Sequence, residues 1–285
     1  MSVFLYVIVD CFLLFASLVR RILTINTVDC MKKKHDRALV IGNGPSLRKD
    51  ISSILKYKNL SDIYCVNYFA YDDLFFNLKP SFYLLADPIF WRNDINQLMA
   101  SDRELLIQKL LLVDWDINII CPKIGAKVLS NYLSANKNIK IVGIPNNACY
   151  FNSEKISIFA LKYKITTPVF GNVLIFALWQ SIINGHKKID IYGADFSMFK
   201  ELYVDQETNE LLSSAPHFYK NTQAQADSGD KYQDKPKKKI HTRLLQAYKG
   251  FRQMYLISIY ANLSGISIIN KSSSSYLDCF SRKRQ

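Results

Sequence analysis

The stretch that most constrains this chain is A-L-V-I-G-N-G-P-S-L at residues 38–47. The apolar run from Ala38 to Ile41 suits a strand buried on both faces, and it breaks abruptly into Gly42-Asn43-Gly44-Pro45-Ser46. In an open α/β sheet, ligands sit beyond the carboxyl ends of strands, where a glycine-rich turn lets backbone amides approach an anion. The turn is not the dinucleotide fingerprint: no third glycine follows at the G-x-G-x-x-G spacing, and Pro45 removes one amide donor. Two short polar side chains, Asn43 and Ser46, stand there instead. They point to a nucleotide-type ligand held partly by side chains. The plainer reading is a strand-to-helix turn with Ser46 as its N-cap.

The same pattern recurs along the chain. Apolar runs at Asp62–Asn67, Phe82–Asp87, Ile117–Cys121, Ile139–Val142, Lys188–Gly193 and Ile266–Asn270 read as strands. Helices are expected at Ile51–Leu60, 92–112, Phe170–Asn184 (closed by Gly185) and Thr242–Leu263. Strands alternating with helices predict an α/β fold, a single Rossmann-like doubly wound parallel sheet. Residues 200–240 interrupt it with a polar, Gln-, Asp- and Lys-rich segment, long enough to expect a lid. The chain therefore divides into a hydrophobic segment 1–30, a nucleotide-binding domain 31–199, a lid 200–240, and a helix and strand at 241–285 that complete the domain. The Ser-rich basic tail from Lys271 is expected to fray.

With 285 residues, 49% apolar and 21% charged, the chain is globular rather than disordered. A net charge of +13 favours anionic partners. No nucleic-acid motif accompanies the lysines at Lys32–Lys34 and Lys235–Lys239, so no nucleic-acid partner is expected. The six cysteines are scattered without C-x-x-C or zinc spacing, as thiols in a reducing compartment would be.

Residues Val3 to Val19 are almost wholly apolar, broken by Asp10 and followed by Arg20 and Arg21. Three readings fit: a short spanning helix with a costly central Asp, a monotopic anchor in the inner leaflet, or a start misplaced ahead of Met31. The positive charge on the carboxyl side keeps the domain cytoplasmic in each, with a membrane surface as partner in the first two.

The strand-end and turn polar groups Asn43, Ser46, Asn67, Asp87, Asn172 and Asp195 would lie at one edge of a parallel sheet and can converge on one crevice. Of the four histidines, His35 reads as solvated, His186 lies on a turn at the opposite edge, and His217 and His241 bracket the lid. His241 leads the last long helix, whose positive end favours a neutral imidazole able to accept a proton. A capping or surface role is the blander reading. Asp114-Trp115-Asp116 resembles the D-x-D that holds a divalent ion against a sugar nucleotide, but it precedes a strand, at the wrong edge. No metal and no cofactor are expected.

Together, I-G-N-G-P-S-L, Val66-Asn67-Tyr68-Phe69, Ala86-Asp87-Pro88, G-A-D-F at 193–196, L-L-S-S-A-P-H-F at 211–218 and a histidine opening the helix after a lid resemble the bacterial sialyltransferases of glycosyltransferase family 42. The order runs from about Ala38 to Asp278. The resemblance implies a GT-A-like variant of the Rossmann-like fold with a lid subdomain. It also implies a metal-independent, inverting transferase that moves sialic acid or a related acid sugar from a CMP-activated donor to a hydroxyl of a surface glycan. Under it, Asn43, Gly44 and Ser46 would face the nucleotide, Asn67 the phosphate, Gly171-Asn172 the cytidine or the sugar carboxylate, and Gly193 to Asp195 the cytosine and ribose. His241 would be the general base, and Tyr203 would hydrogen-bond the leaving phosphate. The chain departs from the family at Asp87, where Asn is usual, at Ser197, where a second tyrosine is expected, and at Phe170-Gly171-Asn172, where the family has T-S-G.

Two other readings stay open: a G-N-G-P-S nucleotide-binding enzyme of flagellin-glycosylation or pyrophosphokinase-like type, and a membrane-associated scaffold whose basic lid binds acidic lipid. A homo-oligomer is compatible with all three.

Overall fold

The computed structural model describes residues 3–23, 31–213, 218, 225–226 and 239–282. Among them, seven parallel strands form one sheet in the order β10-β6-β1-β2-β3-β4-β5. The strands are β1 (Arg37–Ile41), β2 (Asp62–Val66), β3 (Phe82–Leu84), β4 (Ile117–Pro122), β5 (Ile139–Ile144), β6 (Lys188–Tyr192) and β10 (Ser267–Asn270). The helices are α1 (Val3–Leu23), α2 (Leu47–Tyr57), α3 (Leu74–Leu78), α4 (Gln97–Leu111), α5 (Lys123–Leu133), α6 (Glu154–Lys162), α7 (Val173–Ile183) and α8 (Ile240–Leu263). Of these, α3, α5 and α6 were not expected from the sequence.

The central strands β1, β2, β3 and β6 are buried on both faces, and the sheet's side chains alternate between two cores. Leu39, Ile41, Ile63, Cys65 and Ile119 pack against Leu47, Ile54, Phe75, Leu106 and Leu129 of α2 to α5. Ala38, Val40, Tyr64, Val66 and Ile191 pack against Leu174, Leu178, Met254 and Ile257 of α7 and α8. From β1 the chain winds outward through β5 and returns as β6 on the other flank of β1. The reversal opens a crevice at the carboxyl ends of β1 and β6, and it brings Gly42 against Gly193. A Cβ on Gly42 would lie 2.5 Å from the carbonyl oxygen of Gly193, so no larger residue fits that crossing.

The segment expected to be a lid carries secondary structure that its composition does not announce. Its described residues include an antiparallel sheet of β7 (Leu202–Val204), β8 (Leu211–Ser213) and β9 (Gln225–Ala226). His217 and Lys235–Lys238 lie outside the described residues. The tail does not fray up to Arg282. The Lys271 amide donates to Ile191 O (2.8 Å) and that of Tyr276 to Asp195 O (2.9 Å), while Leu277 and Phe280 are buried. Ser272 Oγ accepts from the Ala194 amide and Ser275 Oγ donates to the Ala194 carbonyl. These serines brace the segment that leaves β6.

At the opposite edge, His186 is buried in a polar knot. Asn184 Nδ2 donates to Tyr64 Oη (2.8 Å), which lies 3.0 Å from His186 Nε2. Burial holds the His186 pKa below its ordinary value despite Asp62 at 3.7 Å. The unfolded chain then takes up the proton first as pH falls, so this stability is present above about pH 6.5 and is lost below it. Urea midpoints should fall between pH 7.5 and 5.5 in the native chain. His186→Gln should be less stable by about 2 kcal/mol at pH 7.5 with a flatter pH dependence.

Candidate functional site

A cavity of about 610 Å3 opens at the carboxyl edge of the sheet, over the β1/β6 crevice. Its wall includes Asn43, Gly44, Asn67, Asp87, Gly171, Asn172, Gly193 and Asp195. Four loops that follow strands and the amino terminus of α7 thus bring together eight of the residues singled out above. Ser46, His241 and Tyr203 are not on the wall.

The Gly42–Ser46 turn spends the amides of Gly42, Gly44 and Ser46 within the protein. Gly42 N donates to Tyr192 O (2.8 Å) and Gly44 N to Gly193 O (2.9 Å), and Pro45 has none. Ser46 neither caps α2 with its own side chain nor faces the cavity. Its Oγ donates to Asp195 Oδ2 at 2.7 Å, and its amide reaches the same carboxylate at 3.3 Å. Asp195 therefore occupies the amino end of α2, the position where a dinucleotide fold seats its pyrophosphate. Burial raises its pKa, while the bonds from Ser46 pull the other way. A ligand phosphate is excluded from this end of the crevice by a carboxylate already bound there.

Neighbouring side chains present acceptors. Asn43 donates its amide to Val66 O (3.1 Å), and its buried Oδ1 has no hydrogen-bond partner among the described residues. Asn67 Oδ1 is likewise buried without a partner, on a residue held at φ +47° where β2 ends. Asn tolerates that left-handed backbone better than most residues. Tyr83 Oη, which donates to Asn67 O and accepts from Ala70 N, fixes the turn. Asp87 Oδ1 caps the Pro88–Phe90 turn through Ile89 N (3.2 Å).

The other wall is electropositive. Asn172, on the cavity wall, caps α7 by accepting from Leu174 N at Oδ1 (2.8 Å). The positive end of α7 points at the cavity beside Gly171. Facing it is Arg243, from the first turn of α8. Arg243 went unnoticed in the sequence, since nothing but its position two residues after His241 sets it apart from the other basic residues. Phe170, Phe196 and Met198 supply apolar wall.

His241 is exposed in the same first turn of α8, and Tyr203, 47% exposed, lies on β7, which packs beside α8. The lid also touches the β1 turn: Phe218 N donates to Asn43 O (3.1 Å), and its ring packs on Phe69. Asp114 pairs with Lys79 (2.9 Å) just ahead of β4, at the far edge of the sheet from the cavity. Among the described residues no group of three or more His, Cys, Asp or Glu is placed to hold a metal ion.

No family model matches the chain, and no curated protein matches its sequence. Among solved structures it is similar to the MAf glycosyltransferase from Magnetospirillum magneticum AMB-1, at 10% identity and a TM-score of 0.49. The match covers 89% of this chain and 34% of that one, so the chain spans about a third of its length.

Proposed function

We propose that this chain is an inverting glycosyltransferase that moves sialic acid or a related acid sugar from a CMP-activated donor to a glycan hydroxyl. The observation that carries the reading is the division of the cavity. Orphaned acceptors, Asn43 Oδ1 and Asn67 Oδ1, suit ribose or sugar hydroxyls. Arg243 and the amino end of α7 suit a phosphate and a carboxylate. The turn, with the amides of Gly42, Gly44 and Ser46 already spent, suits a ligand with one phosphate rather than a pyrophosphate.

The chemistry follows from such a donor. Its anomeric carbon is quaternary and bears a carboxylate, so the transition state is oxocarbenium-like with charge leaving on the phosphate. Donors around that phosphate lower the barrier by stabilising the charge where it develops. In this reading Arg243, Asn172 and the α7 terminus, all on the cavity wall, serve this role, with Tyr203 joining from the 200–240 segment. His241 takes the proton of the acceptor hydroxyl. That hydroxyl arrives from solvent, so a base at the rim stands exposed until the acceptor is bound. The lid over the β1 turn keeps water from the donor. The acceptor in this reading is a lipopolysaccharide, lipooligosaccharide or capsular glycan at the cytoplasmic face of the inner membrane.

Calorimetric titration with CMP, CDP, UDP and ATP, each with and without magnesium, tests the donor. CMP should bind best and be indifferent to magnesium. Metal-dependent preference for a nucleoside triphosphate would favour the pyrophosphokinase-like reading. Preference for a nucleoside diphosphate would leave glycosyl transfer from a different donor.

A further inference from the structure

We infer that α1 lies in the plane of an anionic bilayer surface, clamped to the domain by Asp10. The helix is inverted in polarity. Asp10, Leu13, Leu14 and Ser17 form the face turned to the protein, with the two polar side chains fully or nearly buried. Leu5 to Val9, Phe12, Phe15, Val19 and Ile22 are exposed, Phe12 by 70% and Phe15 by 65%. A helix meant for water turns these faces the other way round.

The clamp explains the Asp that a spanning helix could hardly carry. Asp10 Oδ1 accepts from Asn152 N (2.9 Å) and Nδ2 (3.1 Å), and Oδ2 from Ser153 N (2.7 Å). Ser153 is the N-cap of α6, so the carboxylate sits at that helix's positive end. Among the described residues no helix is long and apolar enough to cross a membrane. Lying flat, α1 extends over about 31 Å at 1.5 Å per residue.

Two observations select lipid over a second copy of the chain. The exposed apolar surface takes in five consecutive residues, Leu5 to Val9, which go right round the first turn of the helix instead of forming the a/d seam through which helices pair. The charges beside it are mainly positive: Arg20 and Arg21 end α1, and α6, on which α1 rests, exposes Lys155 and Lys162 next to Phe159 and Tyr163, against the single exposed carboxylate of Glu154. Aromatic and cationic side chains at the rim of an apolar face match a boundary of acyl chains and anionic headgroups.

The inference is independent of the donor, because α1 contributes nothing to the cavity wall. It is tested by flotation of the full chain with phosphatidylcholine vesicles, with and without phosphatidylglycerol. The chain should float with the anionic vesicles, and the double substitution Phe12→Ser, Phe15→Ser should cut partitioning at least about tenfold. The variant's thermal midpoint and nucleotide affinity should stay unchanged. The probes in Leu5→Trp and Phe15→Trp should be quenched from the same shallow depth, whereas a spanning helix would separate them. Binding that survives the double substitution would overturn the inference in favour of the basic lid. No partitioning, or a dimer in light scattering that the substitution dissolves, would overturn it as well.

Discussion

Gly42→Ala should cost at least about 3 kcal/mol of stability and abolish nucleotide binding, because the added Cβ meets backbone rather than a side chain that can step aside. It would sit 2.5 Å from Gly193 O and 3.2 Å from Gly193 C, and these atoms belong to the strand end that forms the other side of the crevice. Relief requires β1 and β6 to part at the topological switch, which breaks the Gly42–Tyr192 and Gly44–Gly193 hydrogen bonds. Gly44→Ala meets Asp195 Oδ2 at 1.8 Å and Gly193 O at 2.7 Å and should fail in the same way, with the added loss of the Asp195 cap on α2. Gly171→Ala is the control. It lines the same cavity, yet its Cβ meets nothing within 4 Å, so its stability should stay within about 0.5 kcal/mol of native. Urea unfolding followed by nucleotide titration of the three variants separates the cases. A stable, nucleotide-binding Gly42→Ala chain would show that the crevice is not packed as described.

That contact was half legible in the sequence. The apolar runs are unambiguous because strands buried on both faces have no polar side to confuse the pattern, and their polar ends follow once the strands are parallel. Long-range use of those polar ends is another matter. Asp195 looks like a ligand group in G-A-D-F, but it takes the amide and hydroxyl of Ser46, 149 positions away. No local pattern reports such a pairing. The tail was misread for a related reason: four consecutive serines, Ser272 to Ser275, have the composition of a loop. A serine hydroxyl serves a neighbouring backbone as readily as it serves water, and here Ser272 and Ser275 hold Ala194. Arg243 was invisible because a single cation carries no spacing signal.

His241 and Arg243 occupy one helical turn and should fail in opposite ways. Two positions along α8 rotate a side chain by about 200°, which is why one can line the cavity while the other faces outward. As the general base, His241 acts only on the acceptor proton. His241→Ala should lower kcat by about 10²-fold or more and leave nucleotide affinity and the thermal midpoint unchanged. Arg243 meets an anion present in the ground state as well as in the transition state. Arg243→Ala should weaken nucleotide binding about 30- to 100-fold, as expected for a charge-assisted hydrogen bond, and Arg243→Lys should recover part of that loss. Initial-rate kinetics beside calorimetry read both effects in the same preparations. Near-native transfer by His241→Ala would remove the histidine from the mechanism, and the base would have to be sought among groups that reach the cavity mouth from the lid. Unchanged nucleotide affinity in Arg243→Ala would instead leave the amino end of α7 as the sole positive wall, too weak by itself to bind both a phosphate and a sugar carboxylate. The acid sugar would then be the part of the proposal to give way, while a nucleotide in the crevice would still be compatible with the orphaned acceptors of Asn43 and Asn67.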